Sequence, residues 1–168
     1  MEIRISQSGL ESAVAQLPAF NLRGKITSAI RATIADGKQA GSNLVKQRYT
    51  ARSMISLGRV KSRTSGLSGK LTISGGRNLL KRFVIRPSTR INPQPAGGVF
   101  ANVVKGQGGN INRAFIAKKG LVFERVGKSR LPIRHLNTVS LPGAFERIGD
   151  KLVSKMEQRL QTRLEQLL

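Results

Sequence analysis

The sequence predicts an α+β fold: an antiparallel β-sheet or small sandwich flanked by a long N-terminal helix and a C-terminal helix. Three observations carry it. Apolar residues recur at helical spacing over 22–48 and again from 143 to the end, and between them the pattern changes to alternation punctuated by Gly and Pro. Helices at both ends of a β-rich middle describe one α+β domain over 1–168, with an arm at 1–20, helical structure over 21–57, strands over 58–136 and a closing helix over 143–168. The length suits a single domain with its own core.

Ile3 and Ile5 form a short strand or arm, and Leu10 to Leu17 a weak helix stopped at Pro18. Asn21 can cap the long helix, whose stripe runs Leu22, Ile26, Ile30, Ile34 and then Ala40, Leu44, Val45 and Tyr49. Gly37 and Gly41 interrupt it; each costs about 1 kcal/mol in a helix interior, so they either admit a close neighbour or mark a break. Thr50 starts a short helix through Met54 and Ile55 to Gly58.

Leu71 and Ile73 alternate with Thr72 and Ser74, with Arg59 to Arg63 as hairpin partner. Phe83 to Ile85 is a second strand, 87–98 a loop, and Val99 to Val104 a third strand. Lys105 to Asn110 is a glycine-rich connection. Ala114 to Ala117 and Leu121 to Arg125 pair across the turn Lys118-Lys119-Gly120, where Gly tolerates positive φ. Leu131 to Ile133 is short and extended, and Phe145, Ile148, Leu152, Met156, Leu160, Leu164 and Leu167 form the last helical stripe.

Thirty Lys and Arg stand against eight Asp and Glu, a net charge of +22, and no acid occurs between Asp36 and Glu124. A field of one sign repels itself and calls for compensation by nucleic acid, an anionic membrane or an acidic protein neighbour. A solvated basic surface is the plainer alternative. No apolar run is long enough to span a membrane or form a signal peptide, so a cytoplasmic site of synthesis is expected.

Catalytic chemistry has little to stand on. With no Cys, thiol catalysis and Cys-ligated zinc are excluded. His135 is the single His, a surface or packing residue with no second His to complete a metal site, and Glu124 beside Arg125 suggests a local salt bridge. The run Gly106 to Gly109 leads into Asn110-Ile111-Asn112-Arg113 and fails the phosphate-loop pattern, as does Gly127-Lys128-Ser129. No zinc finger, helix-turn-helix or RNP-like aromatic strand pair is present, so nucleic-acid binding would be non-specific and salt-sensitive. No enzyme, metal or cofactor is expected, and a nuclease would need an acidic metal cluster.

Three ordered pieces resemble a known family. They are Lys70 to Gly75 with Leu80 to Phe83; Gly98 to Val103 with Arg113 to Ala117; and Gly120 to Arg125 with Lys128 to Ile133 and Val139 to Pro142. Together they resemble the minor tail protein Z family of tailed phages and prophages. The resemblance implies a structural tail-completion protein of the virion, near the head–tail junction and in the host cytoplasm during assembly. It implies a homo-oligomeric ring, hexameric like the tail, that positions phage DNA and meets tail terminator, tail tube or head–tail connector proteins, with no membrane. On that reading Arg48, Arg52, Arg59, Lys61, Arg63, Lys81, Arg82, Arg86, Arg113, Lys118 and Lys119 face DNA or an acidic partner. Arg130, Leu131, Pro132, Ile133, Leu141 and Pro142 meet subunits or neighbours. A ribosomal-type RNA-binding protein shares the charge, small size and scarcity of aromatics, and is the rival reading.

Overall fold

The computed structural model describes residues 1–5, 20–51, 59–93 and 95–167. The expected helix over 10–17, the helical turn through Met54 and Ile55, and Arg52 lie outside them. The fold is α+β, with several small antiparallel sheets, an N-terminal helix and a C-terminal helix. It divides into two compact units: residues 1–44, 56–75 and 142–168, and residues 45–55 and 76–141.

In the first unit β1 (Glu2–Ile5), β2 (Val60–Ser65) and β3 (Ser68–Ile73) form an antiparallel sheet in the order β1-β3-β2. β2 and β3 are the expected hairpin, with Val60 opposite Ile73 and Ser65 opposite Ser68. Alternation puts Ile3, Val60, Leu71 and Ile73 on the buried face and leaves Lys61 and Arg63 exposed. Arg63 lies opposite Lys70, and Lys70 is relieved by Glu2, whose carboxylate is 2.6 Å from its Nζ.

α1 (Phe20–Arg48) starts one residue before Asn21 and continues without a break through Gly37 and Gly41. The two glycines are close-contact positions. A Cβ at Gly37 would lie 2.5 Å from Sδ of Met156, and one at Gly41 would lie 2.5 Å from Cε1 of Phe145. Gly69 does the same on β3, where a Cβ would stand 2.6 Å from Cγ1 of Ile34, so α1 beds directly on the sheet.

The closing helix is two segments, α2 (Leu141–Glu146) and α3 (Gly149–Glu165). It begins two residues earlier than expected because Pro142 suits a first turn, where its missing N–H has no intrahelical partner to lose. It breaks at Ile148, whose backbone is not helical (φ −116, ψ 4) and whose N–H donates to the Phe145 carbonyl at 3.1 Å. Ile148 is drawn into the core beside Phe145, Leu152, Met156 and Leu160. Asp36 on α1 joins α3 through Arg159 (3.1 Å) and Arg163 (2.7 Å), and Arg163 also donates to buried Thr33 at 2.9 Å. These groups are half exposed, so Asp36→Ala should cost only about 1 kcal/mol in urea unfolding, and Arg159→Ala a few tenths.

The second unit contains two antiparallel three-stranded sheets. One has the order β5 (Val84–Arg86), β6 (Val99–Val104), β7 (Gln107–Ile111). The other has β10 (Ile133–His135), β9 (Val122–Arg125), β8 (Ala114–Ile116). Their inner residues Ile85, Val99, Ala101, Ala114, Ile116 and Val122 join Leu80 in one cluster, a small sandwich. A two-stranded pair, β4 (Arg77–Leu79) with β11 (Asn137–Ser140), completes the unit. The end of α1 is tied in as well. Tyr49 bridges to Val104, Thr50 N–H donates to Val103 O at 3.0 Å, and the Thr50 hydroxyl donates to the Asn102 carbonyl.

The expected connection over 105–110 is corrected here, because Gln107 to Ile111 is a strand. Strand pairing is a backbone interaction, and β6 supplies the ladder from Val99–Ile111 to Asn102–Gly108. The missing side chain at Gly108 leaves room for Phe100, whose Cε2 would lie 3.1 Å from a Cβ there.

Candidate functional site

The second unit holds 16 of the 30 Lys and Arg with one acid, Glu124; the first holds 14 with seven acids. The net charges are therefore +15 and +7. Glu124 is already committed. Its Oε2 accepts from Arg134 Nη2 at 2.6 Å and Nε at 2.7 Å, across the β9–β10 pair. This corrects the expected bridge to Arg125: neighbours on a strand point to opposite faces, so Glu124 and Arg125 cannot meet. Strands about 4.8 Å apart hold neighbouring charges well inside the screening length of about 8 Å, and the positive field adds up.

Arg125 takes the other face, with its guanidinium 5.4 Å from the ring centre of Phe115. Phe115 stacks on Phe123 at 6.1 Å, and Phe123 meets His135 at 5.0 Å. His135 is thus a packing residue, and its Nε2 is buried with no hydrogen-bond partner among the described residues. The outer face of the other sheet carries Arg86, Phe100 and Asn110 in one cross-strand row.

The expected basic residues fall into two sets. Arg48, Lys81, Arg82, Arg86, Arg113, Lys118 and Lys119 belong to the second unit, and all are exposed. Arg82 donates to Asn78 Oδ1 at 3.2 Å, Arg113 turns the chain between β7 and β8 at φ 62, and Lys119 turns it between β8 and β9 at φ 64. Arg59, Lys61 and Arg63 are exposed in the first unit. Of the expected contact residues, Arg130, Leu131, Pro132 and Ile133 are exposed, with Leu131 at 67%. Pro142 is half-buried, and Leu141 at 3% exposure leaves almost no surface for a neighbour.

No protein-family model matches the chain, and no match was found among curated proteins or among solved structures.

Among the described residues no three His, Asp or Glu side chains gather into a possible metal site, and no helix is long and apolar enough to cross a membrane. A hollow of about 400 Å³ lies against Asp36, Gln158, Arg159, Thr162, Arg163 and Gln166, but its arginines are engaged by Asp36. Arg125, Arg134 and the Phe115–Phe123–His135 strip were not among the expected site residues. A signal for part of it was present: Phe123 and Arg125 are two apart on a strand and must share a face.

Proposed function

We propose that this chain is a non-enzymatic structural protein of a tailed-phage particle, completing the tail near the head–tail junction as a homo-oligomeric ring around DNA. The observation that carries the DNA role is the charge of the second unit, 16 basic residues against one acid that Arg134 already holds. Exposed Arg and Lys on short strands and turns suit contacts with phosphates in any sequence, and a channel needs contacts that are individually weak. The virion role is supported by the ordered resemblance of 70–75, 80–83, 98–103, 113–117, 120–125, 128–133 and 139–142 to the minor tail protein Z family. A hexamer would follow the tail's symmetry, with tail terminator, tail tube or head–tail connector proteins as neighbours.

Binding to duplex DNA should be insensitive to sequence and fall by about a thousandfold between about 50 and 200 mM salt. Arg82→Glu with Arg86→Glu should lower affinity at least about tenfold and flatten the salt slope by about two. Fluorescence anisotropy measures both. A salt-independent interaction overturns the DNA role. Cryo-electron microscopy of particles encoding this chain tests the location, and absence of its density at the junction overturns the virion role.

A further inference from the structure

We propose that β7 is a docking edge for an extended acidic segment of a partner protein, which adds to the β5-β6-β7 sheet as a fourth strand. This does not rest on the phage reading.

β7 is an edge strand: β6 pairs with it on one side, and among the described residues nothing pairs on the other. An open edge presents a row of unpaired N–H and C=O groups, and folded proteins normally blunt it with shortness, charge or proline. Four of the other edges, β2, β5, β8 and β10, do so. β5, β8 and β10 have three residues each, Pro132 precedes β10, and β2 carries Lys61 and Arg63. β7 has five residues, Gln-Gly-Gly-Asn-Ile, with no charge and no proline. Gln107 to Asn110 are exposed, and Gly108 and Gly109 put no side chain in the way of an approaching backbone. The irregularity in the β6–β7 ladder is confined to its start, between Asn102 and Val104, so Gly108 to Ile111 offers a regular template.

Charge selects the occupant. Exposed Lys105 and Arg113 stand two residues before and two residues after β7. A second copy pairing antiparallel about Gly109 would bring the turn carrying Lys105 of each chain toward the turn carrying Arg113 of the other, and like charges brought together repel. An incoming segment with carboxylates toward both ends neutralises both. Side chains alternate across a sheet, so the same segment needs an apolar residue beside half-buried Ile111 and polar ones on the face of Asn110. Main-chain hydrogen bonds then supply affinity, and the alternating pattern supplies specificity.

The test uses the full chain and a short synthetic peptide alternating Glu with Val, followed by anisotropy and by hydrogen exchange. Binding should slow exchange of amides within 107–111 at least about tenfold, since newly paired edge groups leave solvent. The same peptide with proline at alternate positions keeps its charge but cannot complete a ladder, and should neither bind comparably nor protect β7. Lys105→Glu with Arg113→Glu should weaken binding about tenfold, two rim charges at under 1 kcal/mol each. Exchange elsewhere in that variant reports whether it is folded. Equal binding of the proline peptide, or binding that leaves 107–111 unprotected, overturns the proposal. Duplex DNA protecting 107–111 as well as the peptide does overturns the acidic polypeptide as the partner.

Discussion

Gly98→Ala should destabilise the second unit by about 3 kcal/mol, the sum of left-handed backbone strain of about 1–2 kcal/mol and overpacking of about 1–3 kcal/mol. Gly98 enters β6 at φ 77, and its N–H donates to the Pro95 carbonyl at 3.0 Å. A Cβ there would overlap the carbonyl oxygen of Ile111, with the Ile111 carbonyl carbon at 3.0 Å and the Asn112 Cα at 3.2 Å. These are backbone atoms, and Ile111 is held opposite Val99 in the β6–β7 ladder, so no side-chain rotation relieves the clash. Gly106 separates the two contributions. It has nearly the same φ, 79, with nothing within 4 Å of an added Cβ. Gly106→Ala should therefore cost about 1 kcal/mol, strain alone. Hydrogen exchange of β6 and β7 amides in both variants measures the difference; equal losses would mean that the approach of Gly98 to Ile111 is wrong.

The same pair of strands shows where sequence reasoning succeeds and where it stops. Segments with a buried face were legible because burial writes a period into the chain. Ile26, Ile30 and Ile34 marked α1, Leu71 and Ile73 marked β3, and Leu152, Met156 and Leu160 marked α3. β7 has no such face: four of its five residues are exposed and two are Gly, so nothing in its composition distinguishes a strand from a loop. β4 and β11 escaped for a related reason. They are three and four residues long, contain no fully buried side chain, and meet only because the chain returns after more than fifty residues. Non-local pairing of that kind leaves no local signal.

The charge was legible as a total and as an acid-free interval, but its partition was not. Arg59, Lys61 and Arg63 lie in the same acid-free interval as Arg82 and Arg86, yet the chain gives 56–75 to the first unit and 76–141 to the second. Segments 1–5, 20–44 and 142–167 of the first unit contain acids that offset its bases, whereas the second unit has Glu124 alone. What looked like one basic stretch is therefore a strongly charged module and a moderately charged one. Self-repulsion is therefore greater in the first of these than in the second.

Gly41→Ala and Phe145→Ala should show opposite effects when combined. Phe145→Ala alone should cost about 4 kcal/mol, since Phe145 is 1% exposed and its loss leaves a cavity that packed helices refill poorly. Gly41→Ala alone gains about 1 kcal/mol of helix propensity but loses more, about 2–3 kcal/mol, to overpacking. Its Cβ would lie 2.5 Å from Cε1 of Phe145 and 3.1 Å from Cδ2 of Leu152, and both rings and branches are locked in the core. Once the Phe145 ring is gone the 2.5 Å clash disappears and the space it leaves lets Leu152 shift from the 3.1 Å contact, so Gly41→Ala in the Phe145→Ala background should stabilise, by up to about 1 kcal/mol, the propensity gain. The double-mutant cycle then gives a coupling of about 2–3 kcal/mol, the upper range for residues in contact. Gly37→Ala supplies the contrast. The atoms it would meet are Sδ and Cε of Met156, the far end of a flexible side chain that can swing aside. Its net effect should stay within about 1 kcal/mol of neutral, the propensity gain offsetting the adjustment. Urea unfolding of the four single and double variants measures all of these. A change of sign at Gly41, absent at Gly37, is the signature of a helix crossing built on a glycine facing an aromatic ring.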